Sequence, residues 1–212
     1  MMMLFGGLVI LVSGLDLSRF NQLLRLSGEG LRVLNLGDSK FSQLTTGLKL
    51  KGHKVVTVDA RYNGEADYYQ DLECGVPYFN NKFDLVVAGE LFEHVYNLSR
   101  LLSSIRGVLK SNGSLLISVP NIFNLFDRFR FLLGMLPRHY AYADKHKSYE
   151  TKGHVRNFNL SELEFYLNEA GFKIIEVVSN GLFFKESINL LPSYCCPVTW
   201  GNNLIVKAVM TS

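Results

Sequence analysis

No stretch of the 212-residue sequence holds the roughly 20 consecutive apolar residues that a membrane-spanning helix needs. Cysteine is scarce: Cys74, Cys195 and Cys196 are odd in number and fall in neither a zinc-ligand nor a disulfide spacing. A disulfide-stapled secreted scaffold is therefore excluded, a reducing, cytoplasmic setting is expected, and no metal site is read from the sequence. A block of basic residues is missing too, and a formal net charge of +3 is too small to argue for a nucleic-acid partner. Internal repeats and low-complexity tracts are absent.

The first fifteen residues, MMMLFGGLVILVSGL, carry no charge at all. A secretory signal wants a basic region before its apolar one, which this segment lacks. It is expected to pack on the domain or to open the first helix with Leu17, Phe20, Leu23 and Leu24. A peripheral membrane contact is the alternative. For the rest, 48% hydrophobic and 19% charged residues suit one globular domain with a full core.

The chain is organised around Leu31 to Ala60, LRVLNLGDSKFSQLTTGLKLKGHKVVTVDA. Val33–Leu36 and Val55–Val58 are short, unalternating apolar runs, as expected of parallel strands buried on both faces. Between them Phe41, Leu44, Leu48 and Leu50 can line one side of a connecting helix. Gly37 sits where the chain turns from strand into helix, and the unpaired amides of the helix's first turn point into a crevice that suits a ligand. Asp59 closes the second run about 20 residues later, where a carboxylate can accept both hydroxyls of a ribose; the alternative is an acid that caps a turn. The turn Gly37-Asp38-Ser39-Lys40-Phe41 is not G-x-G-x-x-G, and Asp38 would repel a pyrophosphate, so a dinucleotide is not expected.

Further along, Asp16–Leu26 reads as a helix stopped by Ser27–Gly30. A third strand is expected to end at Gln70, where Asp71 could accept from an adenine amine and Leu72 could donate its amide; a solvated loop acid is the alternative. Phe83–Gly89 is the clearest strand. Leu98, Leu101, Leu102, Ile105 and Val108 repeat at helical spacing towards a stop at Ser111-Asn112-Gly113, and Ser114–Val119 gives another buried strand. Strands alternating with helices imply an α/β fold with a parallel sheet.

The series VLNLG, VVTVDA, QDLE, FDLVVAGELFEHV, LSSIRGVLKSNGSLLISVPN and HVRNFNLSELEFYLNEAGFKIIE, from Leu31 to Glu176, resembles the class I S-adenosylmethionine-dependent methyltransferases, in particular the small-molecule branch often found with glycan and lipid biosynthesis. The resemblance implies a Rossmann-like doubly wound sheet of seven strands, mostly parallel with the last antiparallel, over residues 31–212, with 1–30 as an apolar segment and helix and a cap at about 121–154. It implies S-adenosyl-L-methionine as cofactor, held by Gly37, Ser39, Asp59, Ala60, Asp71, Leu72 and Glu90. Ser39 and Phe41 stand where the family has glycines, and Asn35 where it has an acid, so Phe41 must point away from the pocket for the methionine to fit.

Methyl transfer needs alignment first and, for a hydroxyl acceptor, a base titrating near neutrality. His154 and His94 are the candidate catalytic groups; loop or capping histidines are the alternative for both. Arg156 is expected to bind an anionic substrate group or to pair with Glu162. In the cap, Arg128, Arg130 and Arg138 interleave with Phe126, Phe129, Phe131 and Leu133, of which Phe126 and Leu133 are expected to pack on the core; Tyr140, Tyr142 and Tyr149 could wall a substrate. The expected acceptor is a small molecule, a sugar or a lipid-linked compound, methylated on oxygen or nitrogen. Nucleic acid is not expected, since the polar-Pro-Pro-aromatic tetrad of DNA amino-methylating enzymes is missing after the fourth strand. The alternative function is a non-catalytic relative that binds or assembles with a partner.

Overall fold

The computed structural model describes residues 2–5, 8–11, 14–60, 65–137, 154–184 and 187–211. Arg138, Tyr140, Tyr142 and Tyr149 of the cap lie outside the described residues, as do positions 61–64.

In chain order the elements are β1 (Met2–Phe5), β2 (Leu8–Leu11), α1 (Gly14–Leu26), β3 (Arg32–Leu36), α2 (Gln43–Leu50), β4 (Lys54–Asp59), β5 (Tyr68–Tyr69), β6 (Phe83–Gly89), α3 (Leu98–Val108), β7 (Leu109–Pro120), α4 (Leu125–Leu132), α5 (Leu160–Glu169), β8 (Phe172–Ser179), β9 (Leu182–Phe184), β10 (Ile188–Leu191) and β11 (Asn203–Met210). Seven of these strands form one sheet in the order β5-β4-β3-β6-β7-β11-β8, in which β11 runs antiparallel to both neighbours and the other pairings are parallel. This is the doubly wound sheet expected from the sequence.

The two faces of the sheet follow from the period-two alternation of its strands. Leu34, Leu36, Val86, Ala88, Leu115, Ile117, Leu204 and Val206 face α3 and α5, where Leu98, Leu101, Leu102, Ile105, Leu163 and Leu167 are buried. Val33, Leu85, Val87, Leu116 and Ile205 face α1 and α2, meeting Leu23, Leu26, Leu44 and Leu48. Helix starts are fixed by polar caps: Ser42 accepts from Thr45 N at 3.0 Å, Asn97 from Arg100 N at 3.1 Å and Asn159 from Glu162 N at 2.9 Å. Each such cap is worth about 1 kcal/mol.

The structure corrects four expectations. Met2–Phe5 and Leu8–Leu11 pair as an antiparallel hairpin, so the apolar start of the chain does not open the first helix, which begins at Gly14. Phe41 precedes α2 and Leu50 ends it, both exposed, leaving Leu44 and Leu48 as the buried aliphatic pair of that helix. Helix α3 ends at Val108, not at Ser111–Gly113. Those polar residues belong to β7, which runs from Leu109 to Ser114 while β6 advances only from Phe83 to Leu85. Glycine is required in that bulge, since a Cβ on Gly113 would lie 3.0 Å from the Lys110 carbonyl oxygen and 3.1 Å from that of Phe83. Fourth, Leu133 is 76% exposed, whereas Phe126 does pack, 5.7 Å from Phe184. No helix among the described residues is long and apolar enough to cross a membrane.

A buried imidazole ties the loop before β3 to the loop before β4. His53 Nδ1 accepts from Leu31 N at 3.1 Å, which leaves the proton on Nε2, 3.1 Å from Ser27 Oγ. Burial, aided by the Lys51 charge, lowers the His53 pKa from its ordinary value. A histidine whose folded-state pKa is depressed stabilises the fold above its unfolded value near 6.5 and loses that contribution as pH falls below it. Urea unfolding between pH 7.5 and 5 is therefore expected to show stability dropping with acid in the wild type, with a flatter slope in His53→Gln.

Candidate functional site

The order of the sheet places a crevice at the carboxyl ends of β3, β4 and β6, because the chain leaves β3 towards β4 on one side and returns to β6 on the other. Gly37 follows β3 with φ +70°, and its N–H donates to Val58 O at 2.8 Å. A Cβ there would stand 3.0 Å from Leu91 Cδ1, so the turn needs glycine for both conformation and space. Asp59 is the last residue of β4, one step beyond the paired Leu36 and Val58, and is buried; Ala60 beside it is exposed. The spacing of Gly37 and Asp59 in sequence is thus realised as adjacency across two parallel strands.

Asp38 turns inward and holds the loop together. It accepts from Asn35 Nδ2 at 2.7 Å, Ser42 Oγ at 2.6 Å, Thr45 Oγ1 at 3.4 Å and Ser39 N at 2.8 Å. Burial raises its pKa, against the pull of these hydrogen bonds. Ser39 Oγ accepts from Phe41 N at 3.3 Å, and Phe41 itself is 72% exposed. On the far side, Asp71 is exposed and accepts from Glu73 N at 3.0 Å, while the Leu72 side chain is buried in the core.

Beyond β6 the chain passes through Glu90, which adopts φ 51°, a strained value for a residue with a side chain. Its carboxylate accepts from Ser118 Oγ at 3.0 Å and from Asn203 Nδ2 at 3.1 and 3.2 Å, and pairs with Arg19 Nη1 at 3.3 Å. Arg19 also donates to Asp16 Oδ1 at 2.8 Å. Burial lowers its pKa while Asp16, Glu93 and Asp38 pull the other way. Sequence reasoning missed Arg19 and Asn203. Arg19 could have been noticed as the one cation between Asp16 and the buried Leu23, whereas nothing local marks Asn203.

The donors and acceptors at this edge of the sheet suit the chemistry of S-adenosylmethionine. Asn35 Oδ1 is a buried acceptor, and Arg19 Nε a buried donor, with no hydrogen-bond partner among the described residues. Together with Glu90 they match the ammonium and carboxylate of an amino acid, while Asp59 and the Gly37 cradle match a ribose.

The two candidate histidines, far apart in sequence, come together. His94 ends a short 3-10 turn, Phe92–His94, and its ring lies edge-on to His154 with centroids 4.9 Å apart. The carbonyl of Glu93 accepts from Val155 N at 2.8 Å and Arg156 N at 3.3 Å, which fastens the His154 segment beside His94. Neither histidine caps a helix; Asn97 and Asn159 do. Glu93 is 1% exposed, neither of its side-chain oxygens has a hydrogen-bond partner among the described residues, and burial pushes its carboxyl up to about 7 against the weaker pulls of its own backbone amide and of Arg19. Donor atoms of Glu93, His94 and His154 lie within 4.8 Å of one another, a grouping that sequence spacing did not reveal. Arg156 stacks on Tyr166 at 4.6 Å, hydrogen-bonds its hydroxyl and donates to Tyr96 O at 3.1 Å, so its partner is Tyr166 rather than Glu162.

A profile described as "Methyltransferase domain" matches residues 19–177. No curated protein matches the chain significantly. Among solved structures, an S-adenosylmethionine-dependent methyltransferase from Thermotoga maritima is 18% identical with a TM-score of 0.68, over 92% of this chain and 89% of that one. The 1,6-didemethyltoxoflavin-N1-methyltransferase of Burkholderia thailandensis, solved with 1,6-didemethyltoxoflavin and S-adenosylhomocysteine, is 16% identical with a TM-score of 0.59, over 94% and 79%. An S-adenosylmethionine-dependent methyltransferase from Clostridium acetobutylicum is 12% identical with a TM-score of 0.56, over 94% and 92%. At such identities the likeness is one of fold. The match across residues 19–177 goes further: the chain belongs to the methyltransferase domain family, as an S-adenosylmethionine-dependent enzyme of the doubly wound class.

Proposed function

We propose that the protein transfers a methyl group to an oxygen or nitrogen of a small-molecule, sugar or lipid-linked acceptor rather than a nucleic acid, in the cytoplasm. The observation that carries this reading is the buried Asp59 lying across from the Gly37 turn at the carboxyl edge of the sheet. When bound, S-adenosylmethionine supplies the activated methyl group. Asp59 accepts the ribose hydroxyls, with Ala60 beside it. The Gly37 and Ser39 backbone walls the methionine, and Asp71 and the Leu72 amide meet the adenine. Arg19 and Glu90 exchange part of their mutual pairing for the carboxylate and ammonium.

The His94 and His154 pair receives the acceptor and promotes the loss of its proton. On α4 and just after it, Phe129, Phe131, Leu132, Leu133, Met135 and Leu136 are exposed, an apolar surface that favours a lipid-linked or otherwise hydrophobic acceptor and leaves room for peripheral membrane contact. The N1-methyltransferase solved with bound 1,6-didemethyltoxoflavin supports a small acceptor.

Calorimetric titration with S-adenosylhomocysteine is expected to give a micromolar Kd, about −8 kcal/mol, and no binding at millimolar concentration would sink the reading. Asp59→Ala is expected to weaken it roughly 10- to 150-fold, the loss of a charge-assisted hydrogen bond worth about 1.5–3 kcal/mol. Arg19→Met separates the two ends of the site. It should weaken S-adenosylhomocysteine and leave 5′-methylthioadenosine, which has no amino-acid end, unchanged, whereas Asp59→Ala should weaken both.

A further inference from the structure

Glu93 presents a problem that the methyl-transfer reading does not solve. A carboxylate taken out of water costs several kcal/mol unless it is paired and hydrogen-bonded. Glu93 is almost wholly buried, yet among the described residues neither oxygen has a hydrogen-bond partner. Its nearest basic nitrogen, His94 Nε2, stands 4.0 Å from Oε1, too far for a hydrogen bond. The Arg19 charge acts on it only at a distance, being held by Asp16 and Glu90. The second imidazole, His154, is brought to the same point by the hydrogen bonds of Val155 N and Arg156 N to the Glu93 carbonyl. So one backbone group positions the ligands on both segments, and the unsatisfied carboxylate lies between them.

We propose that Glu93, His94 and His154 bind a divalent first-row transition-metal ion, and that this ion holds the hydroxyl oxygen of the acceptor. Two imidazoles and one carboxylate form a donor set suited to zinc, manganese, iron(II) or cobalt(II), and ill suited to magnesium, which prefers oxygen alone. Ligand atoms bound at about 2.1 Å stand roughly 3–4 Å apart, so the observed span of up to 4.8 Å closes with small rotations of the imidazoles. Three protein ligands leave positions open, and Glu93 and His154 also line a narrow cleft with Pro120, Ile122, Arg156 and Phe158 at the carboxyl end of β7.

This inference rests on the methyl-transfer reading for its substrate and deepens it, since it selects an oxygen acceptor. The hydroxyl takes an open position on the ion, which lowers its pKa, and its proton passes to water. Both imidazoles then act through the ion rather than as proton acceptors themselves. An acceptor with two neighbouring hydroxyls, able to occupy two open positions, would be held best.

The test uses the tag-free full chain, stripped with chelator and titrated with Zn²⁺ by calorimetry and with Co²⁺ by visible absorption, with S-adenosylhomocysteine binding measured in parallel. One ion per chain is expected, with Co²⁺ ligand-field bands, and weakening of at least about 100-fold in His154→Ala and Glu93→Gln, as losing a ligand should cost no less than losing an outer partner. S-adenosylhomocysteine affinity should be unchanged in both variants. Absence of stoichiometric uptake, or uptake indifferent to His154→Ala, overturns the ion. Uptake without S-adenosylhomocysteine binding supports the ion and overturns the cofactor reading alone; the reverse result overturns the ion alone.

Discussion

A carboxylate below the surface must be given hydrogen bonds or opposite charge, and the demand of Glu90 draws four parts of the chain to one point. It stands at the exit of β6 in a left-handed conformation, and it is answered by Ser118 from β7, Asn203 from β11 and Arg19 from α1. Removing any one of these would leave the others facing a partly solvated charge in a low-dielectric setting. The strain at Glu90 is therefore held by three elements that have no local reason to meet. The same knot fixes the exit of β6 at the carboxyl edge of the sheet.

Where the fold is local, it was legible. Val33–Leu36, Val55–Val58 and Phe83–Gly89 are unalternating apolar runs, and each is a strand of the sheet, with Val55 and Val56 only half-buried. Gly37 and Asp59 were readable as a turn and a strand-end acid because a parallel βαβ unit converts a spacing along the chain into adjacency across the sheet.

What could not be read depends on distance or on packing. Ser111-Asn112-Gly113 has the chemistry of a helix stop, yet β7 absorbs it as a bulge because Phe83 and Leu109 are already paired. Leu133 looked like a core residue by spacing, but α4 is short and presents much of its apolar side outward. The hairpin at the start of the chain shares its composition with a buried helix, and composition alone does not choose between them. The meeting of Glu93, His94 and His154 across the cap is set by two backbone hydrogen bonds, which leave no trace in residue identity.

The antiparallel strand β11 enters the sheet between β7 and β8, although both precede it in the chain. During synthesis β8 therefore has no neighbour in the sheet until residues 203–210 have emerged, and the seven-stranded sheet cannot grow outward from its centre in chain order. Long-range closures of this kind slow folding, since the loop entropy is spent before the contacts form. Asn203 arrives with that last strand, so Glu90 is left incompletely bonded in any nascent chain. The catalytic crevice is accordingly finished last, after the rest of the domain has a core to hold it.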